Sequence, residues 1–493
     1  MSTAMRLDEL LDGFAHPGKF ADIVVRGLSL DSRSITRGDA FVALQGTREH
    51  GIAFAPAALT RGATIVLAET APDATTAAIA GDVLWVEELR GKLGAIAARF
   101  YADPSRNLRI SGVTGTNGKT SVVQLIAQAL TILGRRTATV GTLGAGLHGS
   151  LNAGERTTPD AISQQRLLAA FVEAGATDVA MEVSSHALDQ GRVNGVGFAI
   201  AVFTNLSRDH LDYHGDMAAY AAAKQRLFEV PGLKAAIINV DDPFGRQLVS
   251  SVSTGAQVLR YSERSVDAEI RAADIETHAN GLRFLLHTPW GERRLASKLL
   301  GHFNVANLLA VVGSLGALGH SFDEICSVIP RLDPVHGRMS RLGGNAGQPL
   351  VVVDYAHTPD ALEQALASLR AHCAGSLICV FGCGGERDIG KRPQMAEIAE
   401  RLADKVIVTD DNPRGEDGDA IVAAIMKGFA TPNDVVVERD RGKAILRAIC
   451  DSRDGDIVLV AGKGHEPYQD VGGVRHAFDD LEIARRALGA GSC

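Results

Sequence analysis

The segment Gly112-Val113-Thr114-Gly115-Thr116-Asn117-Gly118-Lys119-Thr120-Ser121 constrains this chain more than any other stretch. A short apolar run ends at Ile110 before it, and an apolar-periodic run, Val122 to Leu133, follows it. Strand, glycine turn, lysine, hydroxyl and helix, in that order, is the layout of a phosphate-cradling loop. Glycines let backbone N–H groups turn toward phosphate oxygens, and the helix N-terminus adds partial positive charge. Lys119 has the reach for the β- and γ-phosphates, and Thr120 or Ser121 offers a hydroxyl to Mg²⁺. The usual pattern has a glycine where this chain has Val113, so the match to it is imperfect. A plain glycine turn is the alternative, and the Gly-Lys-Thr-Ser run at a strand–helix junction weighs against it.

A chain of 493 residues is too long for one ordinary core. We expect an α/β protein of three domains: residues 1–103, 104–334 and 335–493. The linker near Ala102–Asn107 and the joint Pro330–Pro334 mark the boundaries. The first domain has strand-like runs at Ile23–Leu30, Phe41–Leu44, Thr64–Leu67 and Val83–Val86. In the second, Asp178–Val183, Phe198–Thr204 and Ala235–Val240 alternate with helical patterns, which predicts a mostly parallel sheet around the phosphate loop. Residues Gln257–Leu299 read as β-hairpins, before a helix over Phe303–Leu318. The third domain alternates again, with strands at Leu350–Asp354, Ser376–Phe381, Lys405–Thr409, Val435–Val437 and Asp456–Val460. That pattern predicts a Rossmann-like doubly wound fold, without the glycine fingerprint of a dinucleotide site.

Charge and cysteine content narrow the function. Lys+Arg of 50 against Asp+Glu of 58, with no basic block, argues against a nucleic-acid groove. No apolar run reaches membrane-spanning length and Met1–Lys19 lacks a signal-peptide pattern, so a cytoplasmic protein is expected. Six cysteines without a CxxC pair suit a reducing compartment.

Chemistry-bearing residues collect after the strands. Glu182 ends an apolar strand, where a carboxylate faces the ligand crevice and suits Mg²⁺. The bland reading is a solvated Glu182 beside a helix capped by Ser184 or Ser185. Arg208, Asp209, His210, Asp212 and His214 crowd the loop after the next strand; His210 is a candidate metal ligand oriented by Asp209. Lys224 sits in the helical stretch Met217–Phe228, and its residue type alone does not promote it. In the third domain, Gly382–Pro393, Asp411–Arg414 and Gly462–Glu466 each follow a strand. Together they offer arginines for a carboxylate and a glutamate for an ammonium, a site for a zwitterion such as an amino acid.

These motifs resemble the Mur ligases, ATP-dependent amide-forming enzymes of peptidoglycan precursor synthesis, across all three domains. Gly115–Thr120 is similar to the family's own shortened phosphate loop. Asp411-Asn412-Pro413-Arg414 is similar to the motif of the members that add meso-diaminopimelate to UDP-N-acetylmuramoyl-L-alanyl-D-glutamate. The resemblance implies that Leu30, Ser32, Thr47, Arg48 and Glu49 hold the UDP portion. Thr157, Thr158, Ser184, Gln190 and Arg192 would contact the muramoyl-peptide. Gly115, Thr116, Asn117, Gly118, Lys119, Thr120 and Ser121, with Asn304, Asn307, Arg338, Asp354 and His357, would bind ATP. Lys224 matches the family's carbamylated lysine, which with Thr120, Glu182 and His210 would serve Mg²⁺. Arg387, Asp411, Asn412, Pro413, Arg414, Gly462 and Glu466 would hold diaminopimelate. Departures are His336 where relatives often have proline, Arg156 in place of a neutral amide, and Glu386 in place of aspartate.

The resemblance implies phosphorylation of the D-glutamyl γ-carboxylate by ATP and attack of the diaminopimelate amine on the acyl phosphate, with domain closure to bring the three substrates together. The expected partners are the UDP-N-acetylmuramoyl dipeptide, ATP and meso-diaminopimelate, with no nucleic acid or membrane, and a monomer is expected. Folylpolyglutamate synthase would share the phosphate loop and Lys224 but not Leu30–Arg33 or Asp411–Arg414. A nucleotide-dependent switch would hydrolyse ATP slowly and form no amide.

Overall fold

Alternating apolar runs and polar turns fold as layered α/β structure, because a strand buried on both faces needs helices to cover it. The computed structural model describes residues 4–46, 49–69, 83–154, 156–278, 281–345 and 347–489. The chain divides into two compact units: Met1–Tyr261 with Ala310–His320, and Ser262–Leu309 with Ser321–Cys493.

In the first unit, a four-stranded parallel sheet runs in the order Gly27–Ser29, Asp39–Ala43, Ile65–Glu69, Val83–Val86. Alternate residues of Asp39–Ala43 feed opposite cores: Ala40 and Val42 on one face, Phe41 and Ala43 on the other. The expected single strand Ile23–Leu30 is instead two. Val24–Val25 pairs antiparallel with Met5–Arg6, whereas Gly27–Ser29 joins the parallel sheet. One apolar run serves two partners, and the chain breaks at Arg26 between them.

The larger sheet of this unit surrounds the phosphate loop. Arg109–Thr114 lies between Asp178–Glu182 and Ile200–Phe203, all parallel, with Thr137–Gly141 and Ala235–Asn239 outside them. Gln257–Ser262, read from sequence as part of a hairpin, pairs parallel with Ala235–Asn239. Its apolar residues, Leu259 and Tyr261, are both buried, so alternation along the chain did not reveal which neighbour it would take. The expected parallel sheet is therefore present, extended by the antiparallel strands Gly144–Leu147 and Ser150–Asn152.

Asp178 anchors the start of its strand. Its buried carboxylate accepts from Arg109 Nε at 2.7 Å, Thr177 Oγ1 at 2.7 Å and Arg135 Nε at 3.1 Å. Burial alone would raise its pKa, but the bonds from Arg109, Thr177 and Arg135 outweigh burial and hold it below the ordinary value. A carboxyl depressed on folding contributes stability that is complete above the unfolded value, about 3.9, and lost as pH falls through the lower folded one. Asp178→Asn should therefore be less stable than the wild type at neutral pH, with the gap closing below about pH 4. Urea unfolding from pH 7 to pH 3 checks this; a gap that stays constant into acid would exclude the linkage.

In the second unit, a meander of Ile270–His278, Gly281–Thr288 and Gly291–Ser297 is antiparallel throughout. The other sheet runs Ser340–Gly343, Leu350–Asp354, Ile457–Ala461, Leu377–Phe381, Lys405–Val408, Val436–Val437, parallel except at its first strand. Val352, Phe381 and Leu459 pack on one face with Leu362, Met395 and Ile425; Val353, Val380 and Val458 pack on the other with Ile445 and Leu481. Helices thus cover both faces, as a doubly wound fold requires. Cys326, Cys373, Cys379 and Cys383 are free thiols, whereas Cys450 is disulfide-bonded. Among the described residues, no helix is long and apolar enough to cross a membrane.

Candidate active site

The phosphate loop joins strand Arg109–Thr114 to helix Lys119–Ile132. Gly118 precedes the helix at φ 84°, a left-handed conformation that favours glycine. Gly115 lies against the strand-end residues Thr204 and Asn205, where a Cβ would collide with the Thr204 hydroxyl. The Thr116 and Asn117 N–H groups do not face a ligand: they donate to Asn205 O at 2.8 Å and Asn205 Oδ1 at 2.9 Å. The first helical turn, Lys119 to Ser121, presents N–H groups at the positive end of the helix that can receive an anion. Lys119 Nζ folds back onto Gly115 O at 2.9 Å and Thr116 O at 2.8 Å. The brace supplied by Thr204 and Asn205 has no local signature in the sequence, because it forms only when two strand ends meet in the sheet.

Glu182 is buried, not solvated. Its Oε2 accepts from Thr120 Oγ1 at 3.1 Å and Thr142 Oγ1 at 3.1 Å, and its Oε1 from Thr142 N at 2.8 Å. Ser184 also caps the short helix Ser185–Asp189, so the capping and functional readings of this segment were not exclusive. Thr142 carried no signal in the sequence. The residues implied for the muramoyl-peptide form one network with Glu182. Thr158 Oγ1 donates to Glu182 O at 2.9 Å, Ser184 N donates to Thr158 Oγ1 at 3.2 Å, and Arg192 joins Thr158 O at 3.1 Å to Gln190 Oε1 at 2.9 Å. Thr157 meets Thr142 at 3.2 Å.

Lys224 is buried, with Nζ donating to Gly115 O at 2.8 Å and lying 4.3 Å from the Tyr220 ring centre. Burial, reinforced by Lys119, pushes its pKa well below the ordinary value. His210 sits at φ 54° and joins an aromatic cluster: its ring centre is 4.8 Å from His186 and 6.1 Å from Tyr220. Its Nε2 is 3.5 Å from Asp209 Oδ2. Among the described residues, no three His, Cys, Asp or Glu side chains gather as a metal cage. The Thr120–Glu182 oxygen pair nonetheless fits Mg²⁺, which takes one or two protein oxygens and completes its shell with water and phosphate. In the N-terminal sheet, Ser32 is buried and Leu30 half-buried beside the Asp31-capped turn, and Glu49 is exposed. Thr47 and Arg48 lie outside the described residues.

The second unit holds two further groups. Arg338 stacks on Tyr355 at 4.6 Å, Asp354 Oδ2 accepts from Met339 N at 2.8 Å, and His357 Nδ1 meets Tyr355 O at 2.8 Å. Tyr355, a residue the sequence did not single out, thus meets two of the residues implied for the nucleotide, Arg338 and His357. Burial raises the Asp354 pKa, opposed by Arg338. Asn304 and Asn307, one helical turn apart in Phe303–Ala317, bond to each other at 2.8 Å. The strand-end clusters converge as expected: Asn412 Nδ2 donates to Glu466 Oε2 at 2.7 Å, and Arg414 NH1 to Gly385 O at 2.8 Å. Asp411, Asn412, Pro413 and Gly462 are buried, whereas Arg387 is exposed beside them. Arg414 and Glu386 both hold left-handed backbones, at φ 53° and 55°, a strain that clusters at ligand sites.

Comparisons with known proteins agree with this geometry. The Mur ligase family catalytic domain model matches residues 24–101, the Mur ligase middle domain 113–315, and the Mur ligase glutamate ligase domain 337–464. The chain is 56% identical over 490 residues to the UDP-N-acetylmuramoyl-L-alanyl-D-glutamate–2,6-diaminopimelate ligase of Xanthomonas oryzae pv. oryzae, covering 99% of this chain and 98% of that one. A solved structure of an enzyme with the same name superposes with a TM-score of 0.76 at 39% identity, covering 99% of each chain. A folylpolyglutamate synthase from Mycobacterium tuberculosis, complexed with ADP and AMPPCP, shares the fold at a TM-score of 0.61 and 20% identity, covering 75% of this chain and 91% of that one.

Proposed function

We propose, since this chain belongs to the Mur ligase family, that it is an ATP-dependent ligase joining meso-diaminopimelate to the D-glutamyl γ-carboxylate of UDP-N-acetylmuramoyl-L-alanyl-D-glutamate. The observation that carries the choice of acceptor is the pocket formed by Asn412, Glu466 and Arg414. Glu466 is an acceptor for an ammonium group, and no carboxylate pairs with the Arg414 guanidinium among the described residues. A guanidinium with donors to spare suits a distal carboxylate, which diaminopimelate has and lysine lacks.

The γ-carboxylate oxygen attacks the ATP γ-phosphorus, forming an acyl phosphate and releasing ADP. The helix N-terminus at Lys119–Ser121 and the Lys119 ammonium stabilise charge spread over the transferring oxygens. The neutral acceptor amine then attacks the acyl carbon, the C–O bond to phosphate breaks, and an amide and inorganic phosphate remain. Thr120 and Glu182 would hold Mg²⁺, which supplies neutralisation of phosphate charge. The neutral amine of Lys224 is the form able to add carbon dioxide; loss of a proton would leave a carbamate with oxygens for a second cation. Thr157, Thr158, Ser184, Gln190 and Arg192 orient the muramoyl-peptide, and Asn304, Asn307, Arg338, Asp354 and His357 serve the nucleotide.

Incubation with ATP, the UDP-linked dipeptide and meso-diaminopimelate should give the dipeptide plus one diaminopimelate less one water, with one ADP and one phosphate per product. Mass spectrometry of the product decides. Phosphate release in the absence of both dipeptide and amino acid would favour a nucleotide switch, and no product with this acceptor would reject the assignment.

A further inference from the structure

Lys463 is the buried charge that the reaction above leaves unused. Its side chain is 0% exposed, yet three polar partners surround the ammonium. Nζ lies 2.9 Å from Asn412 Oδ1, 3.4 Å from Glu466 Oε2 and 3.9 Å from Asp411 Oδ1. A buried ammonium is costly unless its donors are matched, so the three contacts explain how it is retained.

The consequence lies in its partners. Asn412 Oδ1 accepts from Lys463 Nζ and from Asp470 N at 2.9 Å. Two donors on that oxygen fix which way the amide faces, so Nδ2 must point to Glu466. Lys463 and Asn412 both engage Glu466 Oε2, and among the described residues no hydrogen bond engages Oε1. The charge is arranged in the same sense. Arg441 and Asp480 neutralise each other in a fully buried pair at 2.7 Å. Around Lys463 Nζ, two acidic side chains, Asp411 and Glu466, face a single ammonium, an arrangement that suits a further ammonium at Glu466.

We propose that Lys463 is a positioning residue for the acceptor. It locks the Asn412 amide and the Glu466 carboxylate so that the free edge of Glu466 receives an amino-acid ammonium. This rests on the reading of the pocket as the acceptor site.

The test is steady-state kinetics of the full-length enzyme carrying Lys463→Met or Lys463→Arg, with KM measured separately for meso-diaminopimelate, ATP and the UDP-linked dipeptide. Removing one partner of a buried polar set costs enough to raise the acceptor KM by about tenfold in Lys463→Met. Lys463→Arg keeps the charge but moves its donors, and a smaller rise in the same constant, about threefold, is expected. The other two KM values should stay within about twofold of wild type, since Lys463 Nζ bonds to the two residues assigned to the acceptor, Asn412 and Glu466. A parallel rise in all three constants with a lower melting temperature would reduce Lys463 to a structural residue and overturn the proposal. An unchanged acceptor KM in either folded variant would also overturn it. If Lys463→Met does not fold, Lys463→Arg decides alone by the same criteria. Wild-type enzyme that makes product with another amino acid but not with meso-diaminopimelate would refute the acceptor assignment, and the same two variants would then be read with that amino acid.

Discussion

Lys119→Met should fold normally and lose about 10²–10³-fold in kcat, the scale seen when one preorganised donor to a developing charge is removed. The variant should fold because the Lys119 bonds to Gly115 O and Thr116 O are not what holds the loop. The loop is held independently by Asn205, which takes both the Thr116 and Asn117 N–H groups. In the reaction the ammonium must leave those carbonyls for phosphate oxygens. Its interaction therefore grows toward the transition state, where charge on the transferring group is greatest, and the loss falls on kcat more than on KM. Single-turnover ADP formation measures the phosphoryl step directly. A rate within a factor of three of wild type would remove Lys119 from the transfer chemistry.

Arg414→Ala should lower kcat/KM for meso-diaminopimelate by about 2–5 kcal/mol, the range for deleting one partner of a desolvated charge pair. Three backbone bonds aim this side chain: Arg414 N to Asp470 O at 2.9 Å, Gly472 N to Arg414 O at 2.7 Å, and the guanidinium to Gly385 O at 2.8 Å. The last occupies one of five donors, and a fork of two others suffices for a carboxylate. Arg414→Lys should recover only part of the loss, because a point charge does not reproduce the fork. The decisive comparison is meso-diaminopimelate against L-lysine with wild type and variant. The wild type should prefer diaminopimelate strongly, and the variant should lose most of that preference. Equal discrimination in both would mean that the distal carboxylate is read elsewhere.

The two expectations differ in how far they were legible along the chain. The loop at Gly115–Ser121 is a local object: glycine spacing, a lysine and a helix start lie within seven residues, so periodicity and turn chemistry suffice to find it. The convergence of Asp411–Arg414 with Gly462–Glu466 was also legible, because parallel strands in a doubly wound sheet put their following loops at one edge. Less local features escaped. The run Ile23–Leu30 carries two strands for two sheets, and no property of the run itself distinguishes one partner from two. Gln257–Ser262 reads as hairpin or parallel strand until its neighbour is known. Thr142, Asn205 and Tyr355 are ordinary polar or aromatic residues in sequence; each matters through a partner at least forty positions away, or through a ring packed on one charged group.

The sequence by itself determined the residue types, the strand–loop–helix order and the spacing that bring phosphate, metal and acceptor chemistry to the ends of strands. These follow from backbone sterics and hydrophobic periodicity, which act over a few residues. Only the tertiary structure decided the burial of Lys224 that lowers its pKa, the burial of Glu182 under Thr120 and Thr142, and the direction of the Asn412 amide beside Lys463. Each of those depends on desolvation and on donors from distant segments, because the electrostatic energy of a charge or an amide is set by what surrounds it in space.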